Sequence, residues 1–400
     1  MEILSKRIRH LSESATLEMA RKSRELKARG VDVINLSIGE PDFNTPDCIK
    51  TAAIDAIHSN HTHYTPVAGT AELREAIAKK LKTENGLNYS AQQIVVSNGA
   101  KQSIANAILC LVDPGDEVIV PSPYWVSYPE MVKLAEGNMI DIRATIDQDF
   151  KITPQQLEEA ITPKTKVFLF SSPCNPTGSV YSHEELKALA AVLEKHPRIF
   201  IISDEIYEYI NYKGKHESIA TFENIRDRVI LVNGVSKGYA MTGWRIGYMA
   251  STLEIAKACD KLQGQVTSGP SSISQWASLK AIESMNCVSE DVTEMVNAFS
   301  ERRKMVIEKL NKMPGIKSNQ PEGAFYIYPN ISHYFGKTNG SMRIENDTDF
   351  CVYMLEKAHI AIVPGAAFGN PNCVRISYAT SKNILVEALD RMENALEELH

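Results

Sequence analysis

The sequence has no apolar run long enough to cross a membrane. Among its 400 residues no stretch of about 18 consecutive apolar residues occurs, so we predict no transmembrane helix and no membrane partner. The first residues, MEILSKRIRHLSESAT, include basic side chains but no apolar core. This pattern argues against a secretory signal peptide.

Cysteine is scarce and shows no regular spacing. The seven cysteines are an odd number, lie scattered along the chain and include no C-x-x-C pair. A disulfide framework and a zinc site both require patterned cysteines, so we expect neither, and we expect no metal. The composition therefore predicts reduced thiols in a cytoplasmic protein.

Positive charge is also in deficit, since 43 Lys and Arg residues stand against 49 Asp and Glu residues. A nucleic-acid-binding surface requires a basic face, so we expect no nucleic-acid partner. The 44% hydrophobic and 23% charged content is typical of a globular protein with an ordinary core.

The order of the apolar segments predicts an α/β fold. Short strands that are apolar throughout alternate with helical segments, which is typical of a mostly parallel sheet with helices on both faces. This pattern predicts a large domain over residues 46–290. A long helix, short strands and a closing helix then predict a smaller α+β domain over residues 291–400. We expect the N-terminal segment, residues 1–45, to join that small domain.

Polar residues recur where the predicted strands end. Ligands of open parallel sheets bind at the carboxyl ends of the strands. Gly99, Ala100 and Lys101 follow one strand and open a helix, which presents free backbone N–H groups to an anion. Other strand ends carry Asn175 in SSPCNPTG, Asp204 and Tyr207 in SDEIYE, and Lys237 in VNGVSKG.

Lys237 is the most unusual of these residues. Lysines normally lie on solvated faces, but this one is flanked by Gly234, Ser236 and Gly238, which clear space around it. Taken singly, Lys237 is a surface lysine, Gly99 a turn glycine and Asp204 a helix N-cap. The argument for a site therefore rests on their joint occurrence.

Together these residues indicate one cofactor. A lysine in a confined site can form a Schiff base with an aldehyde, and an acidic residue such as Asp204 can pair with a protonated pyridine nitrogen. A helix N-terminus and Arg245 can hold a phosphate. Tyr207 and Asn175 can bond a phenolic oxygen, and Trp125 can stack on the ring. This set predicts pyridoxal 5'-phosphate (PLP).

At this point the chain resembles a known family, the fold-type I, class I PLP-dependent aminotransferases, and most closely their bacterial aspartate aminotransferase branch. The motifs that carry the resemblance are SIGEPDFNTP, YTPVAGTAELREAIA, SSPCNPTG, SDEIYE, VSKGYAMTGWRIGY, PEGAFYIYP and VRISYATS. The resemblance implies the fold of that family and a homodimer with shared active sites.

The resemblance also implies a role for each matching residue. Lys237 is expected to carry the cofactor and to shuttle a proton, and Asp204 to hold the ring nitrogen, with Tyr207 and Asn175 on the phenolic oxygen. The residues expected around the phosphate are Gly99, Ala100, Lys101, Ser236, Arg245 and, from the partner subunit, Tyr64. The residues expected at the substrate are Arg375 on the α-carboxylate, the loop residue Gly39, Trp125 and Asn175.

The substrate's distal carboxylate is less directly indicated. One branch of the family binds it with an arginine, but the matching region here, DKLQGQVTSGPSS, contains none. Another branch uses a lysine and a threonine that match Lys101 and Thr16, which implies aspartate and 2-oxoglutarate as substrates. In the alternative, Lys101 only lines the phosphate helix. Relatives that act on prephenate often have a basic residue followed by proline where this chain has Ser12 and Glu13.

Two other kinds of protein remain as alternatives. One is an enzyme of the same fold with another substrate, such as an aromatic- or alanine-type aminotransferase or a carbon–sulfur lyase, because fold alone does not determine the substrate. The other is a ligand-sensing regulator. Such regulators add an N-terminal DNA-binding module, for which we expect this chain to have no room.

Overall fold

The computed structural model describes residues 3–400, apart from the side chains of residues 285–287. The strands are β1 (Ile34–Asn35), β2 (Ile94–Ser97), β3 (Glu117–Ser122), β4 (Asn138–Arg143), β5 (Thr165–Ser171), β6 (Phe200–Asp204), β7 (Val229–Gly234), β8 (Gly247–Ala250), β9 (Tyr326–Ile327), β10 (Thr338–Asn339), β11 (Met342–Arg343), β12 (Ile360–Ala361), β13 (Val363–Pro364) and β14 (Val374–Ser377).

The described chain also contains thirteen α-helices, some of them consecutive in the chain. They are α1 (Lys6–Arg9), α2 (Ala15–Ala28), α3 (Asp47–His58), α4 (Ala71–Asn85), α5 (Ala100–Leu111), α6 (Tyr128–Leu134), α7 (Pro154–Ala160), α8 (His183–Glu194), α9 (Leu253–Val266), α10 (Ser272–Glu283), α11 (Met285–Leu310), α12 (Asp347–Lys357) and α13 (Lys382–Glu397).

A seven-stranded sheet in the order β2-β8-β7-β6-β5-β3-β4 forms the centre of the fold. Its strands are parallel except β8, which runs antiparallel to both β2 and β7. Alternate residues of a strand point to opposite faces, so Phe168 packs with the helices of one face and Leu169 with those of the other. The prediction of a mostly parallel sheet covered on both faces is confirmed.

Two strands of this sheet were not predicted from the sequence. The edge strand β4 has mostly exposed or half-buried residues, so its sequence, NMIDIR, lacks the apolar run that marks the central strands. The other, β8, has four residues and follows the glycine-containing turn after Lys237. Its length gives too few residues for a periodic pattern.

A second core joins the N-terminal segment to the C-terminal part of the chain. Val33 and Leu36 pack with apolar residues of α11, α12 and α13, and β1 pairs in parallel with β12. The predicted boundary at residue 290 lies inside α11. The division into three segments stays a prediction.

One described cysteine, Cys48, differs from the prediction of reduced thiols. Cys110, Cys174, Cys259, Cys351 and Cys373 are free thiols, but Cys48 is disulfide-bonded. A disulfide requires two cysteines whose Cα atoms lie about 4–7 Å apart. Spacing along the chain gave no sign of this proximity, since it arises only when distant segments pack together.

Two further properties of residues 3–400 concern membranes and metals. None of their helices combines the length and the apolar character that a membrane crossing requires. No group of three or more His, Cys, Asp or Glu side chains in this part of the chain is placed to hold a metal ion.

Gly247 determines how closely the sheet approaches the start of α5. An ideal Cβ on Gly247 would lie 2.1 Å from the backbone nitrogen of Ala100, whereas one on Gly243 would meet nothing within 4 Å. Only a glycine at position 247 therefore allows β8 to pass directly beside the first turn of that helix.

We expect Gly247→Ala to lower the free energy of unfolding by about 1–3 kcal/mol, because the added methyl group displaces the first turn of α5. The matched control Gly243→Ala should stay within about 0.5 kcal/mol of the parent protein. Urea denaturation followed by circular dichroism measures both. Equal stability of the two variants would show that the helix start adjusts freely.

Candidate active site

A cavity of about 300 Å³ lies where β5, β6 and β7 end beside the start of α5. Twelve of the fourteen residues predicted for the site line it, namely Thr16, Gly39, Ala100, Lys101, Trp125, Asn175, Asp204, Tyr207, Ser236, Lys237, Arg245 and Arg375. They come from segments far apart in the sequence. The fold therefore brings the predicted residues together in one place.

The two other predicted residues lie outside this cavity. Gly99 is the N-cap of α5, with φ of 82°, and an ideal Cβ on it would lie 2.3 Å from Nη2 of Arg245. Its role is to let that guanidinium approach the helix start. Tyr64 is fully exposed and does not contribute to the cavity of its own chain.

The start of α5 forms an anion-binding cradle. No side chain caps this helix and no acidic residue occupies its first turn, so its first N–H groups and the positive end of its dipole are available. Arg245, in the left-handed region at φ of 57°, donates from Nη1 to Thr242 O at 3.1 Å and from Nη2 to Asn98 O at 3.2 Å. Both contacts are to uncharged carbonyl groups, which leaves its charge for a ligand.

Lys237 follows the end of β7 and donates from Nζ to the carbonyl oxygen of Gly39 at 2.6 Å. Burial, together with the nearby Arg245 and Arg375, lowers the pKa of Lys237 to about 8, while Glu40 and Asp204 oppose this shift. A lysine with a lowered pKa has more of the neutral, nucleophilic amine near neutral pH.

The glycines beside Lys237 serve a different purpose from the one that the sequence suggested. An ideal Cβ on Gly238 would lie 2.5 Å from Cδ2 of Tyr209, and one on Gly234 would lie 2.8 Å from Cα of Gly247. The space they leave is therefore filled by a tyrosine ring and by the backbone of β8. The glycines allow the protein itself to pack tightly around the lysine.

Asp204 is buried at the end of β6. Burial raises the pKa of Asp204 to about 6, although a hydrogen bond from the Tyr128 hydroxyl lowers it; that hydroxyl donates to Oδ2 at 2.7 Å. A buried carboxylate is unfavourable unless a cation pairs with it. Asp204 is therefore suited to a ligand atom that carries positive charge.

Tyr128 is a site residue that sequence reasoning missed. It is the third residue after Trp125, and the two rings meet edge to face with centroids 5.5 Å apart. The available signal was only its closeness to Trp125 in the sequence, since Tyr128 is the first residue of α6 and Trp125 precedes that helix. Without the fold, nothing in the sequence pointed from Tyr128 to Asp204.

Arg375 forms a second cationic centre in the cavity wall. It is only 2% exposed, donates from Nη1 to Asn175 Oδ1 at 3.0 Å and from Nη2 to Ser37 O, and its Nε has no partner within the described chain. Burial lowers the pKa of Arg375. A buried guanidinium with an unused donor is suited to bind a carboxylate.

Tyr326 is the second residue that sequence reasoning missed. Its hydroxyl lies 2.8 Å from that of Tyr207, and its ring centroid lies 4.6 Å from the guanidinium carbon of Arg375. An ideal Cβ on Gly39 would lie 2.3 Å from the Tyr326 hydroxyl oxygen. Gly39 therefore lies directly against this tyrosine.

Lys101 and Thr16 provide polar groups elsewhere on the cavity wall. Burial, together with Arg245, lowers the pKa of Lys101, and its Nζ lies 4.9 Å from the ring centroid of Trp125. The Oγ1 atom of Thr16 is buried without a hydrogen-bond partner in the described structure. Both groups are available to a ligand.

The class of protein follows from a comparison of the whole chain with known families. Residues 31–392 match the family described as aminotransferase class I and II. The chain therefore belongs to this family, whose members depend on PLP. The protein is a PLP-dependent aminotransferase, and the predicted family, cofactor and fold class are confirmed.

Particular relatives are similar over nearly the full length. A probable aspartate/prephenate aminotransferase of Rhizobium leguminosarum bv. phaseoli is 49% identical across 98% of each chain. A crystal structure of an aspartate aminotransferase from Rhizobium meliloti is 43% identical, with a TM-score of 0.96 over all of both chains. The aspartate aminotransferase from Thermus thermophilus with maleate is 40% identical, with a TM-score of 0.93 over 99% of this chain and 100% of that one.

The residues present fit PLP in three respects. The uncapped start of α5 beside Arg245 suits a phosphate, and the buried carboxylate of Asp204 suits a protonated ring nitrogen. Lys237 supplies an amine with a lowered pKa.

We expect Asp204→Asn to stabilise the cofactor-free protein above about pH 6. The folded protein holds the pKa of Asp204 above its ordinary value of 3.8, so folding disfavours the ionised form, and the penalty grows as the pH rises from 3.8 to about 6. The amide removes a penalty on the order of 3 kcal/mol. Urea unfolding at pH 4 and pH 8 tests this, with little difference from the parent expected at pH 4. A gain of the same size at both pH values would contradict the interpretation.

Proposed function

We propose that the protein is an aspartate aminotransferase, which transfers the amino group of L-aspartate to 2-oxoglutarate and yields oxaloacetate and L-glutamate. The observation that carries this proposal is the presence of two cations on the wall of one cavity, the buried Arg375 and the more exposed Lys101. A dicarboxylate supplies one anion to each of them. The names of the relatives support the same substrate.

In this proposal the protein contacts both the phosphate and the ring of PLP. When bound, PLP supplies the aldehyde that accepts the amino group and the ring that withdraws electrons from the reacting carbon. The N–H groups at Ala100 and Lys101, with Ser236 and Arg245, hold the phosphate. The ring contacts are Asp204 at the nitrogen, Trp125 on the face, and Tyr207 and Asn175 at the phenolic oxygen.

Asn175 has the capacity for two roles. Its Oδ1 accepts from Arg375, so its Nδ2 group remains to donate toward the cofactor. This contact would join the guanidinium that binds the substrate α-carboxylate to the group that contacts the ring. We propose that Arg375 and Asn175 therefore orient substrate and cofactor relative to each other.

Lys237 is the proposed proton carrier. Its lowered pKa leaves much of the amine neutral near pH 8, so it can take the proton from the substrate Cα and return one. Its hydrogen bond to Gly39 O connects it to the loop that we propose closes over the α-carboxylate. The amine is thus held near both the cofactor and the substrate.

We further propose a homodimer in which Tyr64 reaches the phosphate of the neighbouring subunit. Its full exposure leaves the phenol free to contact another chain. Amino acids and 2-oxo acids are the small-molecule partners, as in other aminotransferases. A cytoplasmic location stays a prediction from the sequence.

Prephenate is a second candidate acceptor, because the relative from Rhizobium leguminosarum bv. phaseoli is named for it as well as for aspartate. The backbone N–H of Ser12 donates to Glu130 Oε2 at 2.8 Å, so an acidic side chain contacts the segment that often carries a basic residue in relatives that use prephenate. Turnover with aspartate as donor and prephenate or 2-oxoglutarate as acceptor compares the two directly.

We expect Lys101→Ser to lower kcat/KM for aspartate by roughly 10- to 150-fold, because a charge-assisted hydrogen bond is worth about 1.5–3 kcal/mol. Alanine as donor should lose much less. The control Lys133→Ser removes an exposed lysine that pairs with Glu130 and should leave both donors unchanged. Equal losses for aspartate and alanine in Lys101→Ser would refute the dicarboxylate proposal but leave the aminotransferase class intact.

The shared site can be tested by mixing two inactive variants, Lys237→Ala and Tyr64→Ala. In a hybrid dimer one site contains Lys237 from the second variant and Tyr64 from the first, so random mixing should restore about a quarter of the wild-type sites. The two variants assayed separately are the controls. Absence of recovery, with hybrids demonstrated by native mass spectrometry, would exclude a phosphate contact across the dimer.

A further inference from the structure

A buried polar network lies behind the cavity, centred on Glu208. This residue directly follows Tyr207 and is itself only 7% exposed. Its carboxylate accepts from Nζ of Lys80, from Asn85 Nδ2 at 2.6 Å and from Asn233 Nδ2 at 2.6 Å. The three donors come from α4 and β7, so one carboxylate connects three segments.

The carboxylate of Glu208 remains charged in this environment. Burial alone would raise its pKa, but the buried Lys80, together with His216 and Asn85, outweighs burial and lowers the pKa of Glu208. Hydrogen bonds to an ionised acceptor are shorter and stronger than those between neutral groups. The two amide contacts therefore hold Asn85 and Asn233 firmly.

Asn233 links Glu208 to the segment that carries Lys237. Its Nδ2 donates to Glu208, and its Oδ1 accepts from the backbone N–H of Gly234 at 2.7 Å. After the lysine, the ring of Tyr209 lies against Gly238, where an ideal Cβ would be 2.5 Å from Cδ2. The turn is thus attached to the 207–209 segment both before and after Lys237.

We propose that Asn233 and Glu208 are positioning residues, whose hydrogen bond holds the Lys237 amine at a defined distance from the Tyr207 hydroxyl. Lys237 follows Asn233 in the chain, and Tyr207 directly precedes Glu208. Movement of one of these segments relative to the other therefore changes the distance between the Lys237 amine and the Tyr207 hydroxyl. A displacement of about 1 Å at a reacting group can reduce the rate by a factor on the order of a hundred. This inference rests on the proposed roles of Lys237 and Tyr207.

Asn85 offers a matched control for Asn233. Each asparagine donates to the same carboxylate at the same distance, 2.6 Å, but Asn85 ends α4 and does not join the Lys237 turn. Asn233→Ser and Asn85→Ser each remove one hydrogen bond to Glu208 and one that the amide oxygen accepts, from the Gly234 N–H at Asn233 and from Lys80 Nζ at Asn85. Comparison of the two variants therefore distinguishes an effect on overall stability from an effect on the position of Lys237.

We expect Asn233→Ser to lower kcat at least tenfold, with KM for aspartate within about twofold of wild type, while Asn85→Ser keeps kcat within about twofold. The second readout is the pH midpoint of the absorbance change of the bound cofactor in the holoenzyme. This midpoint should shift in Asn233→Ser alone. The thermal unfolding temperatures of both variants should fall by similar amounts.

Equal kcat losses in the two variants, or wild-type kcat in Asn233→Ser, would overturn the positioning role. If Asn233→Ser gives no folded protein, Asn233→Thr suits the strand better and is compared with Asn85→Thr by the same criteria. Absence of transamination from aspartate by the wild-type enzyme would instead refute the proposed function, so the two failures are distinguishable.

Discussion

The site depends on charged groups that the fold holds out of water without giving them full partners. Burial lowers the pKa of Lys237 to about 8 and raises that of Asp204 to about 6, and it leaves Nε of Arg375 unpaired within residues 3–400. Each arrangement costs free energy in the absence of ligand. Such groups persist only where the surrounding structure determines their positions, which here is the sheet with packed cores on both of its faces.

The carboxylates behind the cavity, in contrast, have partners within the protein. Glu208 is paired with Lys80 and two amides. Glu205 accepts from the hydroxyls of Ser203 and Ser218 and contacts Nε2 of His216 at 2.8 Å. In residues 204–208, the cavity-lining carboxylate of Asp204 is hydrogen-bonded only to neutral groups of the described chain, namely the Tyr128 hydroxyl and the Ile206 N–H, whereas Glu205 and Glu208 each contact a basic side chain in the interior. The groups that can still bind a charged ligand therefore lie on the side where the cofactor and substrate are proposed to bind.

The sequence predicted the parts of the site that depend on local pattern. Asn175, Asp204 and Lys237 follow apolar strands, and the carboxyl ends of parallel strands share one edge of a sheet. Tyr128, the partner of Asp204, and Tyr326, the partner of Tyr207, were missed because these contacts join segments that are far apart in the sequence. The strands β4 and β8 were missed because one lies at an exposed edge and the other has four residues.

The sequence by itself determined the family, the cofactor and the alternation of strands and helices, because motifs and periodicity are properties of neighbouring residues. Only the tertiary structure decided which groups are buried, and hence the direction of each pKa shift. It also decided that Arg375 contacts Asn175, which is 200 positions away, that Tyr209 fills the space at Gly238, and that Cys48 is disulfide-bonded. Burial and contact depend on how segments far apart in the sequence pack together, and a local sequence pattern does not specify the distances between such segments.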